Sequence, residues 1–205
     1  MRRISVTIIS CFFVALGLVI TAAAQEAVAT NPNAEGGWQK LADGLELGIF
    51  DSPQPAEIGD SKIRILRIDP DRYELKLLNA SVSKKGRSLS VKQWCRQNGL
   101  VAAINASMYQ EDLKTSVSLM RTRTHVNNPR LREKDKTILA FDRLGPGVPE
   151  VKIIDRECED FKIWKYKYGS LIQSIRMISC KGQNVWSQQP RKYSTVAIAV
   201  DKADR

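Results

Sequence analysis

The chain has 205 residues, of which 32 are basic and 22 acidic, and its formal net charge is +10. A hydrophobic content of 43% is enough for one core-forming domain and excludes a wholly disordered chain. The basic residues stand singly and in pairs without a recognition module, which excludes nucleic acid as a partner; a charge of this sign favours phosphates, acidic polysaccharide or an anionic envelope surface. At the amino terminus, Arg2 and Arg3 precede an apolar run from Ile4 to Ile20 that ends in Thr21-Ala22-Ala23-Ala24. This is the order of a secretory signal, so residues 1–24 are expected to be cleaved and the protein exported to a periplasmic or secreted location. The competing reading is a retained anchor, since roughly 18 to 20 apolar residues span a bilayer, but Ser5, Thr7, Ser10 and Gly17 interrupt the run. Membrane contact is then limited to the leader before cleavage. Loss of Arg2 and Arg3 leaves 30 basic and 22 acidic residues, a net charge of +8.

Residues 25–37 are polar, small and Pro/Gly-bearing, a linker composition, and 38–205 are expected to form the domain. Alternation of Ile63, Ile65 and Ile68 with Lys62, Arg64 and Arg67, then Tyr73, Leu75 and Leu77 after Asp69-Pro70-Asp71, predicts two half-buried strands joined by a tight turn. Ser90 with Gln93 has the form of a capping box, and Val91, Trp94 and Cys95 fall on one side of a short helix that stops at Gly99. Leu100 to Ile104 is a continuous apolar run, expected as a strand buried on both faces and ending at Asn105. Further strands are predicted over Thr137–Phe141, Val151–Ile154, Ile175–Ile178 and Thr195–Val200, between turn-rich stretches. Many short strands with one or two helices predict an α+β fold on a mixed, largely antiparallel sheet.

Cys11 leaves with the leader, and the three remaining cysteines suggest one bridge and one thiol. Cys158 and Cys180 lie in neighbouring polar stretches, whereas Cys95 falls on the apolar side of a helix; the first two are therefore expected to pair, with Cys95 buried. One histidine and no C-x-x-C argue against a zinc site, and no cofactor is expected.

The stretch Ala102-Ala103-Ile104-Asn105-Ala106-Ser107-Met108-Tyr109 delivers an amide and a phenol from a strand into a turn. It resembles the A-x-N-G-G-F/Y motif of the phosphodiester glycosidase family. Thr124 to Pro129, Ile154 to Cys158 and Ile172 to Ile178 agree in order with a bacterial branch of that family, and the resemblance runs from about Gly44 to the end. Two departures stand out. Ala106 and Ser107 occupy the motif's glycine positions, where a turn needing positive φ would be strained, and Thr195-Val196-Ala197-Ile198-Ala199 lacks the arginine that heads the family's R-T-A-I-G strand. Arg191 and Lys192 lie just upstream as substitutes for it.

The resemblance implies a hydrolase cleaving the glycosidic bond of a sugar phosphodiester in envelope or exopolysaccharide material. Asn105 and Tyr109 would line the pocket, with Gln173, Ser174 and Arg176 facing it from a second strand and Asn127 and Arg191 completing it. Amides and hydroxyls suit a sugar, and guanidinium suits the single charge of a phosphodiester. His125, the sole histidine, is of the residue type best suited to proton transfer near neutrality, which makes it an acid/base candidate beside Asn105 and Arg176. Ordinary glycoside hydrolysis needs a pair of carboxylates across the bond, and the cluster Asp155, Glu157, Glu159 and Asp160 is expected instead to be a solvated loop near the bridge. The rival function is a non-catalytic envelope module that binds carbohydrate or phosphate; a third is a structural envelope protein with no sugar site. Thr195–Val200 runs into Asp201 to Arg205 where a return strand is expected, and the resemblance implies a further strand, a helix and an acidic glycine-rich segment. The chain is accordingly expected to be an inactive piece of a longer protein.

Overall fold

The computed structural model describes residues 4–9, 37–82, 88–187 and 195–201, with the backbone alone for residues 4–9. Three sheets of short strands with two helices make up the described part, an α+β arrangement in which most pairings are antiparallel. A three-stranded antiparallel sheet comes first, built from β2 (Trp38–Ala42), β3 (Leu45–Asp51) and β4 (Lys62–Ile68). Its β2–β3 turn is closed by Gly44, whose φ of 75° and close approach to Arg72 and Asp69 leave no room for a side chain.

The second sheet is parallel. β1 (Ile4–Ile9) lies between β5 (Tyr73–Leu78) and β6 (Ala103–Ile104), with Ile8 opposite both Leu77 and Ile104. The two strands expected to form one hairpin are thus divided between sheets: β4 pairs with β3, and β5 turns away at Asp69, whose carbonyl accepts from the Arg72 and Tyr73 amides. Ile4–Ile9, the start of the run expected to be a leader, is the middle strand here, and residues 10–36, which hold the rest of that run and most of the expected linker, lie outside the described residues.

Between β5 and β6 runs α1 (Val91–Asn98), the crossover that a parallel pair requires. Both halves of the capping box are present at Ser90 and Gln93, and Gly99 closes the helix in the left-handed conformation. Trp94 is the residue that α1 buries, against Ala80, Leu89, Leu78, Leu100 and Ala103. Cys95, expected to be buried, is half-buried, and Val91 is exposed, because so short a helix turns a single position squarely into the core. The following strand is also shorter than expected. Only Ala103 and Ile104 pair, both half-buried, and Val101 faces solvent, since the chain spends its first residues after Gly99 leaving the helix.

The third sheet has the order β10-β9-β11-β7-β8 and is antiparallel throughout. Its strands are β7 (Met120–Arg121), β8 (Val126–Asn128), β9 (Thr137–Arg143), β10 (Val151–Asp155) and β11 (Tyr168–Ser174). Covered on both faces, it explains the apolar run Ile138-Leu139-Ala140-Phe141. Leu139, Phe141, Met120 and Ile172 pack on one face against Leu77 of β5, with Ile104 and Ala106 beside them. Ile138, Ala140, Ile154, Leu171 and Tyr168 form the other face under Phe161 and Trp164 of the single-turn α2 (Phe161–Trp164).

β9 and β10 fall where the sequence placed them, but the expected strand over Ile175–Ile178 does not form. The pairing belongs to the preceding seven residues, Tyr168–Ser174, which align with β9. Thr195–Val200 also forms no strand, and its Val196 and Ile198 are exposed. A bridge joins Cys158 to Cys180, the expected pairing.

Candidate functional site

Three polar clusters collect the residues singled out in the sequence, and only one of them is open. The first is a buried knot around Gln173, which has no solvent exposure. Its Nε2 donates to the carbonyls of Arg132 and Asp135 at 2.7 and 2.6 Å, and its Oε1 accepts from the amides of Arg132 and Leu119 at 2.9 and 3.3 Å. Ser107 and Ser118 both donate to the Gln173 carbonyl at 3.0 Å. Gln173 therefore faces no pocket: every polar atom of its side chain is bonded to main chain. Ser174, half-buried, ends β11 opposite Thr137.

Arg176 holds the second cluster. It lies beyond β11 rather than on a strand, and its guanidinium donates to both oxygens of Asp155 at 2.8 and 2.9 Å and reaches Glu157 at 2.6 Å. Burial opposes the charge of Asp155, but the Glu157 amide, the Arg176 guanidinium and the Cys180 amide outweigh it and hold the carboxyl below its usual range. The same carboxylates, Asp155 first, raise the affinity of Arg176 for its proton. Asp155, expected in a solvated loop, is buried beside the bridge, while Glu159 pairs with Lys152 and Asp160 caps α2. An arginine held by two carboxylates is not available as an anion clamp.

The third cluster gathers at the carboxyl ends of the parallel strands. Ile104 and Leu77 stand level across β1, so Asn105 leaves the end of β6 on the edge where β5 ends, two strand spacings or roughly 10 Å away. Asn105 is exposed and Tyr109 half-buried. After β5, Asn79 and Ala80 are buried and their turn, closed by the Val82 amide on the Asn79 carbonyl, presents Ser81 to solvent. Neither Ala106 nor Ser107 takes a positive φ, so the altered glycine positions bring no backbone strain.

Tyr109 begins an antiparallel excursion that bridges it to Ser116, with Gln110 donating to the Thr115 carbonyl at the neck. At its tip Asp112 accepts from the Thr115 hydroxyl and from the Thr115 and Lys114 amides, donors that keep its carboxyl ionised below the usual range. This carboxylate serves the turn. Beside the excursion stands β8, which forms a strand despite its two asparagines and the proline that follows. A turn from Thr122 to His125 precedes it, with the Thr122 amide on the His125 carbonyl at 2.8 Å and the His125 amide on the Thr122 hydroxyl at 3.1 Å. His125 and Asn127, two residues apart, share a side of the strand.

Both reach Ser81. Its Oγ lies 2.9 Å from His125 Nε2 and 3.0 Å from Asn127 Nδ2. Asn127 is held in turn by the Ser116 amide on its Oδ1 at 2.7 Å and by its own donation to the Lys114 carbonyl at 2.9 Å. Ser81 was not legible as a site residue from sequence; the only trace is its place at the end of a half-buried strand, in a turn.

Compared with known proteins, the chain matches no family model, no curated protein and no solved structure. Arg191 and Lys192 lie outside the described residues. A surface depression at the β2–β3 turn gathers Lys40, Arg67 and Arg72, but each is paired, with Asp43, Glu46 and Asp69 respectively. Among the described residues Asp155, Cys158 and Cys180 approach a metal-like grouping, yet the two sulfurs are joined to each other.

Proposed function

We propose that the chain is an exported hydrolase that cleaves the glycosidic bond of a sugar phosphodiester, with Asn105, Tyr109, His125 and Asn127 forming the site at the carboxyl ends of β5 and β6. The observation that carries this is convergence. The segments around Asn105 and His125, which resemble the phosphodiester glycosidase family separately, are joined through the Tyr109–Ser116 bridge and the Ser116 amide on Asn127, contacts that do not involve residues 4–9. The Cys158–Cys180 bridge points to an oxidising compartment, in keeping with the leader-like start of the chain. No helix among the described residues is long and apolar enough to cross a membrane.

A non-catalytic module binding the same carbohydrate or phosphate has one observation in its favour, the engagement of Arg176 by Asp155 and Glu157. Release of sugar from an N-acetylglucosamine-1-phosphodiester separates the two: the hydrolase yields free sugar, and the binding module holds the substrate intact. The mass of the exported protein tests the leader, with an amino terminus at Gln25 expected and an intact Met1 excluding cleavage.

A further inference from the structure

The orientation of the Asn127 amide in the Ser81 cluster follows from its main-chain partners. The Ser116 amide can only donate, so the atom of Asn127 that faces it is Oδ1. The Lys114 carbonyl can only accept, so it faces Nδ2. With its amide fixed at both ends, Asn127 gives its second Nδ2 proton to Ser81 Oγ. Ser81 keeps one proton of its own, and its other close partner is His125 Nε2. Ser81 Oγ has two lone pairs beside its proton, so His125 Nε2 can accept from it or donate to it according to the tautomer, and a relay from Asn127 through Ser81 to the imidazole requires the first. With Nε2 as the acceptor, neutral His125 carries its proton on Nδ1 and turns a lone pair toward the exposed hydroxyl.

The geometry points to Ser81 as a catalytic residue of this site, the hydroxyl through which His125 draws a proton from the attacking water. This rests on the sugar phosphodiester reading and adds its mechanism. In the step, the water oxygen bonds to the anomeric carbon as its proton passes to Ser81 Oγ, and the Ser81 proton passes to His125 Nε2. The bond from the anomeric carbon to the phosphate oxygen breaks, and its electron pair leaves with the phosphate monoester. Such a monoester has a second pKa of about 6, so near neutrality it departs as the dianion without help from an acid. One base with no carboxylate pair is then sufficient, and direct attack by water inverts the anomeric configuration.

Because His125 is the sole histidine, a single imidazole signal reports the arrangement in the whole chain. Nitrogen-15 spectra of the neutral imidazole should show the Nδ1–H tautomer, and Ser81→Ala should return it to the Nε2–H form that free imidazole favours in water. An Nε2–H tautomer in the unsubstituted protein overturns the relay whatever the turnover. On N-acetylglucosamine-1-phosphodiester, Ser81→Ala should lower kcat roughly a hundredfold with little change in KM, and Ser81→Thr should recover part of the loss. Freshly released sugar should have the anomeric configuration opposite to that of the substrate, and retention would overturn the single-step attack. The Nδ1–H form in a chain that releases no sugar would leave the hydrogen-bond chain standing and remove the reaction assigned to it.

Discussion

Gln173 and Asn127 are both amides anchored to main chain, and they differ in whether any of that bonding reaches an exposed side chain. All the capacity of Gln173 goes to the carbonyls and amides of Leu119, Arg132 and Asp135, in a place that solvent does not reach. Asn127 fixes itself with two such bonds, to Ser116 and Lys114, and then directs its last proton at an exposed hydroxyl. A saturated amide holds elements together. An amide with one bond to an exposed side chain fixes where that side chain points. Arg176 belongs with Gln173 by this measure, since two carboxylates take up its guanidinium.

The largest effect expected from this contrast is at Gln173. Replacement by Leu leaves the Leu119 and Arg132 amides without an acceptor and the Arg132 and Asp135 carbonyls with Arg156 as their remaining donor, and a loss of about 4 kcal/mol in chemical denaturation is expected. A loss under about 1 kcal/mol would place the knot outside the stabilising core. Arg176→Ala should come next, a destabilisation smaller than that at Gln173, because buried Asp155 then keeps the Glu157 and Cys180 amides but no opposite charge. The sign of its pH dependence follows from the depressed carboxyl. In the unsubstituted protein the stability from Asp155 is present above the unfolded value of about 3.9 and is lost as pH falls through the lower folded value. With Arg176 gone, burial opposes the charge with less relief, so the acid limb of a denaturation series should move to higher pH. An unmoved limb would mean that Arg176 does not govern Asp155.

Replacing both Cys158 and Cys180 with Ser should cost about 3 kcal/mol on the chain-entropy account, for a sequence separation of 22 residues. Alkylation of the native protein without reductant should label Cys95 alone, and a label on Cys158 or Cys180 would refute the bridge. Asn105→Ala is expected to be the mildest for stability, within about 0.5 kcal/mol, since Asn105 is exposed. Sugar release should nonetheless fall roughly tenfold or more. Normal release from a folded Asn105→Ala protein would remove that residue from the site.

What could be read in advance follows the range of the interactions. The capping box at Ser90, the left-handed stop at Gly99 and the strands at β9 and β10 depend on residues near in sequence, or on apolar runs long enough to announce themselves. The separation of β4 from β5 depends on which strand each one meets, and nothing in their alternation carries that information. Around Arg176 the polar positions resemble a strand face, but the decisive fact is a carboxylate 21 residues earlier in sequence. Asn105, His125 and Asn127 were legible as polar candidates in their segments, but the meeting of His125 and Asn127 at Ser81 was not. Ser81 was hidden because its partners lie 44 and 46 residues away.

The bridge encloses α2 and the whole of β11, the strand lodged between β9 and β7. This makes the middle of the antiparallel sheet a closed covalent ring rather than a segment with two loose ends. A protease that cuts once between Cys158 and Cys180 opens the ring without releasing a fragment. On a gel the nicked protein runs as one piece until a reductant is added, and only then do two pieces appear.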